Sequence, residues 1–529
     1  MSAPPSSCDI LVVGSGNAGL SAAVSAAQSN PEASIIVIDK CPESWAGGNS
    51  YFTAGAFRTV HAGLPDLLPL VNNTSAEQAS RIDMPVYSEA DFTHDLHRMT
   101  GGRTDPALSR ILVQDSRSTI GWLAKNGVRF QLSFNRQAYK VDGRIKFWGG
   151  LALKTQEGGK GLVEDHLRAA RNHGVRVFFN TAATRLLTNS ESGAVIGAEA
   201  LTGDNSSSRS KTSYQNLIIH AKAVILAAGG FEANPQLRAQ YLGPGWDVAR
   251  VRGTPYNTGD MLLSAQRDVY AKTVGNWSGC HSVAWDADAP AHAGDREVSN
   301  EFTKSGYPLG IMVNRDGERF VDEGSDMRNY TYAMIGHRIL QQPGQIAFQV
   351  WDARTTPWLR DEEYRAEVTR HLKGDSLEEL ADQCVEAGLV SKERFLATLR
   401  EYNASVVSGG KWDPAVKDGL ATSGLAIPKS NWALPIDRAP FLAVRVTSGI
   451  TFTFGGLAVN PETTAVISET SGTEVPGLFC VGEMLGGLFY DNYPGGSGLT
   501  SGAVFGRRAG RAAANLVAGN GTGTHSSRL

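Results

Sequence analysis

The chain has 529 residues, 41% hydrophobic and 19% charged, with a formal net charge of −3. Those proportions describe a globular protein and exclude a collagenous or disordered one, and so small a net charge gives no electrostatic reason to bind nucleic acid. The length exceeds one ordinary core, so two domains are expected.

No stretch approaches the roughly 20 apolar residues of a spanning helix, and no membrane span is expected. The opening "MSAPPSSCDILVVG" lacks a basic region followed by a cleavable apolar run, which argues against a secretory signal. Five cysteines (Cys8, Cys41, Cys280, Cys384, Cys480) are scattered without CxxC or CxxCH spacing. That leaves no pattern for a disulfide framework, an iron–sulfur cluster, attached haem or a zinc site, so no metal is expected. Electrons passing through this chain need an organic carrier. The 59 glycines are the compositional excess, and clustered glycine means tight turns and close backbone approach, as a phosphate-rich cofactor requires.

From Cys8 to Lys40, "CDILVVGSGNAGLSAAVSAAQSNPEASIIVIDK" predicts a buried strand, a glycine turn, a small-residue helix and a second strand ending at Asp39. Gly14, Gly16 and Gly19 form GxGxxG, with the acid twenty positions after the last glycine. A turn, a close approach to pyrophosphate and a helix–strand contact each account for one glycine, and Asp39 can reach a ribose hydroxyl. Strand, helix and acid together make this a dinucleotide-binding unit.

The loop "AGGNSYFTAGAFR" (46–58) follows, then a long flexible stretch with NNTS and helical patterns in "DPALSRILVQDSRSTIGWLAKNGVRF". "GGKGLVEDHLRAARNHGVRVFFNTAATRLL" predicts a helix leading into a strand, "TGDNSSSRSKTS" a polar hairpin or loop, and "AKAVILAAGGFEANPQL" an apolar strand ending at Gly229-Gly230. Between His281 and Phe441 the glycine grammar fades into charged helices such as "SKERFLATLREYN". It returns at "GGLAVNPETTAVI" and "GLFCVGEMLGG". "GGLFYDNYPGGSGLTSGAVFGRRAG" (486–510) then sets Tyr490 and Tyr493 in a glycine loop before a helix starting near Leu499, whose small residues Gly502, Ala503 and Gly506 are expected to let it approach a cofactor. The pattern is α/β: one nucleotide-binding domain interrupted by an inserted cap. The last three residues, Ser527-Arg528-Leu529, are a conservative variant of the Ser-Lys-Leu peroxisomal address. They imply peroxisomal import in a eukaryotic cell and carry no address in a bacterium, where a cytoplasmic location is expected.

The segments "VVGSGNAGLSAA", "AGGNS", "VILAAGGFEAN", "NTGDM", "NRDGERFVDE" and "GLFCVGEMLGG" resemble the flavoprotein subunit of the fumarate reductase/succinate dehydrogenase family over essentially the whole chain. "GCHSVAWD", "RFVDEGSDMRNYTYA" and "LFYDNYPGGSGLTSGAVFGRRAG" are similar to its tricarballylate dehydrogenase-like branch. The resemblance implies a Rossmann-like FAD-binding domain of the GR2 type in two parts, 1–280 and 443–529, interrupted by an α+β capping domain, 281–442. A cap closed over the flavin excludes water and strengthens charge interactions inside.

The resemblance further implies FAD, with Gly14, Gly16 and Gly19 at the pyrophosphate, Asn17 and Ala18 on the same turn, and Asp39 with Lys40 at the adenosine ribose. Gly48, Asn49, Ser50 and Gly55 are expected beside the flavin, Ala183 at the adenine, and Ala228 and Gly229 along the cofactor. Gly482 and Glu483 fall at the ribityl or ribose side, Gly498 and Leu499 at the isoalloxazine edge. Covalently flavinylated members carry a histidine where Asn49 stands, so the FAD is expected to be non-covalent.

For the chemistry, the resemblance makes Arg328 the proton-transfer candidate, displaced by one residue from the fumarate-reducing pattern and positioned by Asp322 and Glu323. A guanidinium is a reluctant base, so Arg328 orienting a carboxylate while Tyr330 or Tyr332 moves the proton is kept open, as is a plain surface pairing of Arg328 with Glu323 or Asp326. His281 matches a carboxylate-binding histidine. The fumarate-reducing members' second histidine and second arginine are replaced by Phe452, followed by Thr453, and by Tyr493, so simple fumarate or succinate chemistry is not expected. The implied activity is oxidation of a CH–CH bond next to a carboxylate or other carbonyl by hydride transfer to flavin N5, with a di- or tricarboxylate such as tricarballylate as substrate and the electron acceptor unknown. A 3-ketosteroid dehydrogenase-like enzyme using Tyr493-Pro494-Gly495, a fumarate reductase-like ene-reductase, and a flavin-binding electron-transfer subunit without turnover are the alternatives.

Overall fold

Ile10 to Val13 are all buried and mostly β-branched, the composition of a strand covered on both faces, and in the computed structural model they lie in β1 (Ser7–Val13). Residues 3–203 and 214–519 are described; most of the "TGDNSSSRSKTS" segment and the C-terminal tripeptide lie outside them. Helix α1 (Asn17–Ser29) follows the glycine turn and leads to β2 (Ile35–Ile38). Farther along come α2 (Pro106–Lys125), α3 (Gly158–Asn172), β3 (Arg176–Phe178), β4 (Thr181–Thr188), β5 (Val195–Thr202) and β6 (Gln215–Leu226). Helix α2 starts where the sequence says it should: Asp105 accepts hydrogen bonds from the N–H groups of Ala107 and Leu108, both at 2.9 Å, and proline fills the first helical position.

The next elements are β7 (Thr273–Asp286), β8 (Ile311–Asn314), α4 (Arg328–Leu340), β9 (Ala347–Trp351), β10 (Phe441–Leu457), β11 (Glu474–Cys480) and α5 (Ser497–Val517). In the base, β3, β2, β1, β6 and β11 lie side by side and parallel, while β4 and β5 continue the sheet antiparallel from the first half of β6. This is the Rossmann-like arrangement, with the cofactor turn at the carboxyl end of β1.

In the cap, β8, β9 and β10 form an antiparallel sheet over a separate core that includes Ile311, Val313, Phe348, Val350, Phe395 and Leu399. Strands β7 and β10 pair antiparallel from Thr273↔Leu457 to Asp286↔Val446, and the positions 281 and 442 lie inside them. The two continuous strands therefore carry the chain from base to cap. The stretch expected to be flexible, between residue 58 and the helical pattern opening at Asp105, instead holds the helix Glu89–Met99, capped by Ser88, and the short strand Ile82–Asp83, which joins Arg144–Phe147 in a small three-stranded sheet. No helix among the described residues is long and apolar enough to cross a membrane.

Candidate active site

The three glycines of the first turn do different work. Gly14 has φ +110°, and a Cβ there would collide with the Ala227 carbonyl; at Gly19 it would collide with the Gly14 carbonyl. These two glycines serve backbone geometry and helix–strand contact. Gly16 has an ordinary φ of −75°, and its nearest neighbour to a Cβ would be the Gly47 carbonyl oxygen, 3.6 Å away. The space in front of Gly16 is left for something other than protein. Helix α1 begins there with no acidic residue in its first turn; the Asn17 N–H donates to Ser50 Oγ (3.0 Å), and the positive dipole end with the N–H groups that follow is offered to an anion.

Asp39 rims the same turn: one carboxylate oxygen accepts from the N–H (2.8 Å) and hydroxyl (2.7 Å) of Ser15, the other from the Cys41 N–H (3.0 Å). At the far end, α5 repeats the device, its N-cap Gly496 at φ +83° with no side-chain cap and no acid in the first turn. These features fit a long dinucleotide carrying phosphate at one end and a reducible ring at the other. The cofactor residues expected from sequence line one continuous cleft with two exceptions. Gly19 is the packing glycine described above, and a Cβ at Gly55 would collide with the Thr155 hydroxyl, so both are corrected to structural positions. The small residues of α5 are corrected as well. Gly502 faces the cleft, but Ala503 is buried in the core and a Cβ at Gly506 would strike the Ala18 carbonyl, so Gly506, like Gly510 farther along beside Ala22, lets α5 lie against α1.

Asn49 is fully engaged. Its Nδ2 donates to the Thr451 carbonyl (2.5 Å) and to Glu232, and its Oδ1 accepts from the Thr254 N–H (2.8 Å). Glu232, which sequence reasoning did not single out, is fully buried beside Glu483. Its Oε1 also accepts from Asn257 (2.6 Å), while Glu483 Oε1 accepts from the Thr453 N–H (2.7 Å) and hydroxyl (3.0 Å). A Cβ at Gly230 would strike Glu483 Oε1 and come within 2.8 Å of Glu232 Oε2, so the two carboxyl groups converge on one spot. Burial, and then the charge of Glu483, holds Glu232 well above the carboxylate range; burial pushes Glu483 up to about 7. Two buried carboxyl groups this close favour sharing one proton over carrying two charges.

At the other end of the cleft, Arg328 and Tyr332 sit one turn apart on α4 and share its cleft-facing side. Tyr330, half a turn away, does not reach the cleft: its hydroxyl donates to Asp95 (2.7 Å), which also pairs with buried Arg58 (3.1 Å). That removes Tyr330 from the proton-moving role. Asp322 and Glu323 do not position Arg328 either. Asp322 accepts from the N–H groups of Gly324 and Ser430, Glu323 pairs with Arg319 (2.5 Å), and Asp326 pairs with Arg98 and Lys417. Arg328 donates to the Arg136 carbonyl and has no carboxylate partner among the described residues, which also removes its surface pairing.

The Tyr332 hydroxyl donates to the Tyr493 hydroxyl at 2.9 Å, and burial raises both phenols, Tyr493 well above its usual range. His281 lies on β7 opposite Phe452, at a register shift, with its ring edge-on to Tyr332 (4.8 Å) and Tyr493 (5.0 Å). Its Nδ1 has no partner among the described residues, and burial followed by the charge of Arg252 holds the imidazole well below its usual range. His281 is therefore neutral and serves as a hydrogen-bonding group, not as a cation. Arg252, unnoticed in the sequence, is 7% exposed on the same wall. Arg136 and Arg360 also line this end, and the carboxylates that answer them are Glu362 and Glu363.

The family profile described as FAD binding domain matches residues 9–499. The chain is 28% identical over 513 residues to a probable fumarate reductase, Ifc3, of Shewanella frigidimarina, a match covering 97% of this chain and 75% of that protein. It is 27% identical over 595 residues to 4-oxocyclohex-2-ene-1-carboxylate 5-dehydrogenase of Sinomonas cyclohexanicum, covering 96% and 94%. Among solved structures, the open conformation of a flavocytochrome c3 fumarate reductase matches with a TM-score of 0.68 at 24% identity, over 97% of this chain and 79% of that one. The 3-ketosteroid delta1-dehydrogenase of Sterolibacterium denitrificans reaches the same TM-score at 19% identity, over 97% and 100%. At those identities the structures attest the fold.

Proposed function

The chain belongs to the FAD binding domain family, and FAD is its cofactor; from that premise we propose a dehydrogenase that oxidises the CH–CH bond of a small di- or tricarboxylate, with tricarballylate as the first substrate to try. The observation that carries this reading is the charge of the cleft wall. Four guanidinium groups line its substrate end, and the carboxylates paired with them are Glu362 and Glu363. Such a pocket attracts an anion and disfavours a neutral molecule. The relatives named fumarate reductase and 4-oxocyclohex-2-ene-1-carboxylate 5-dehydrogenase both have carboxylates in their names, which agrees with it.

Bound FAD supplies the two-electron acceptor for a hydride. The residues supply the rest. Arg328 and the wall opposite it orient the carboxylates, which fixes the reacting carbons and takes up charge developing on the acyl group. The proton lost from the neighbouring carbon goes to the Tyr332–Tyr493 pair, because Tyr332 shares the cleft face with Arg328 and a guanidinium is a poor base. A phenol raised by burial accepts a proton only once ionised, so oxidation rises with pH, about tenfold per unit below the phenol's titration. Asn49, with its amide committed to three partners, leaves FAD held without a covalent bond.

Anaerobic addition of tricarballylate should bleach the visible absorption of the FAD-loaded protein, faster at pH 9 than at pH 7, and Tyr332→Phe should slow the bleaching by about 100-fold or more. Bleaching by a ketosteroid and by no carboxylate would refute the reading. A cyclic keto acid is the second substrate class, favoured by the Tyr332–Tyr493 hydroxyl pair, which can polarise a ketone; bleaching by 4-oxocyclohexanecarboxylate alone would select it. In a eukaryotic cell Ser527-Arg528-Leu529 would direct the enzyme to peroxisomes; the relatives above come from bacteria, where it would stay without that address.

A further inference from the structure

We propose that Arg252 is a specificity-determining residue of this site, its guanidinium receiving a substrate carboxylate on a wall shared with His281, Tyr332 and Tyr493. The assignment rests on the carboxylate reading above and adds the group that anchors it.

The backbone of Arg252 is fixed by the sheet of β7 and β10 that joins base to cap, the hinge sheet. The short strand Arg250–Val251 runs parallel to β10 through Arg250↔Gly449 and Val251↔Ile450, and the Arg252 N–H donates to the Ile450 carbonyl at 2.8 Å. Thr451 holds the residue from both sides, its hydroxyl donating to the Arg252 carbonyl (2.8 Å) and accepting from Nη1 (3.1 Å). Nη2 donates to Asn300 Oδ1, and Nε is buried without an acceptor. Every partner of this guanidinium is neutral, and no carboxylate lies within ion-pairing distance among the described residues. Burial pushes Arg252 down to about 10, which leaves it charged at neutral pH.

Other buried arginines are answered. Arg58 has Asp95, Arg319 has Glu323 and Arg360 has Glu363. Arg238, which also lacks a carboxylate among the described residues, places its donors on the carbonyls of Glu232, Trp246, Asp247 and Ala249. Arg252 lines the cleft instead, and its Nε has no acceptor among the described residues. A buried, uncompensated charge works against folding, and here the compensation is the incoming anion. Burial, with the field of Arg252 added to it, keeps His281 neutral, so the imidazole can hydrogen-bond a carboxylate or carbonyl without adding a second charge.

The test uses FAD-loaded wild type, Arg252→Gln and Arg252→Lys, titrated with tricarballylate and succinate while the flavin spectrum reports binding, and with trimethyl tricarballylate as a neutral control. Arg252→Gln should weaken carboxylate binding by about 100-fold and leave ester binding unchanged, with Arg252→Lys intermediate. Without ligand, Arg252→Gln should unfold at a temperature no lower than wild type, because it removes an unpaired buried charge; a merely structural arginine would lower it. Carboxylate affinity within threefold of wild type in Arg252→Gln, or in Arg252→Lys if the glutamine variant does not fold, overturns the assignment. So does a wild type that binds neither acid. If both acids bind through Arg252 but leave the flavin oxidised, the proposed oxidation fails and Arg252 stands. Bleaching with the same concentration dependence in wild type and Arg252→Gln has the opposite meaning.

Discussion

One oxygen of Glu232 receives two amide donors while the other faces Glu483 with no donor of its own, a geometry that makes sense only if the pair is protonated. Both carboxyl groups are raised in the folded state relative to an exposed glutamate. The stabilising contribution of such an acid is full below its unfolded titration and is lost as pH rises through the folded one, here between about 4.5 and about 7 for Glu483. Glu232→Gln keeps the shape and removes the shared proton. The wild-type unfolding midpoint, read relative to that of Glu232→Gln at each pH, should therefore fall across this window; a flat difference would show that the two groups do not share a proton. Glu483 was legible in "VGEM", but Glu232 was hidden in plain view in "GGFEAN", because a lone acid after a strand carries no mark of a partner about 250 positions away. Arg252 was hidden for the same reason. Tyr330 and Tyr332 stand as alternatives in the sequence; the four-residue spacing that puts Tyr332 and Arg328 on one face of a helix is the signal that separates them.

Helices α1 and α5, from opposite ends of the chain, pack together and aim two N-termini into one cleft. The sequence reveals the glycines of both but not what each glycine faces, since periodicity defines a face and leaves its neighbour unnamed. The structure separates them by what a methyl group would meet. Gly16→Ala meets no protein atom closer than 3.6 Å, so the variant should keep its unfolding midpoint when stripped of FAD, yet bind FAD at least about tenfold more weakly, ~1.4 kcal/mol. Gly506→Val drives its side chain into the Ala18 carbonyl and should destabilise the whole protein by about 1–3 kcal/mol. Equal FAD affinity in Gly16→Ala, by titration of flavin fluorescence, would mean that the space before α1 is not the phosphate site.

At the scale of the whole molecule, one fold serves proteins named for fumarate reduction and for ketosteroid dehydrogenation with the same TM-score of 0.68, so the architecture alone does not select a substrate. The selection lies in how base, hinge and cap each contribute charge to one cleft. The doubly wound base and an inserted cap could be anticipated from where glycine motifs stop and resume, but β7 and β10 could not, because they cross both boundaries without a break. Arg252 stands on the hinge sheet formed with β10, while Arg328 opens helix α4 of the cap, and neither has a carboxylate partner among the described residues. A ligand with carboxylates at both ends can satisfy the two at once and tie the cap to the hinge. A monocarboxylate satisfies one and leaves the cap's cation unanswered. Binding of tricarballylate to the FAD-loaded protein should therefore slow amide hydrogen exchange in the first turns of α4 by about tenfold, roughly the effect of 1.4 kcal/mol added to local opening, whereas saturating butyrate should protect only the Arg252 side. Equal protection of α4 by both acids would show that Arg328 takes no part in holding the cap closed.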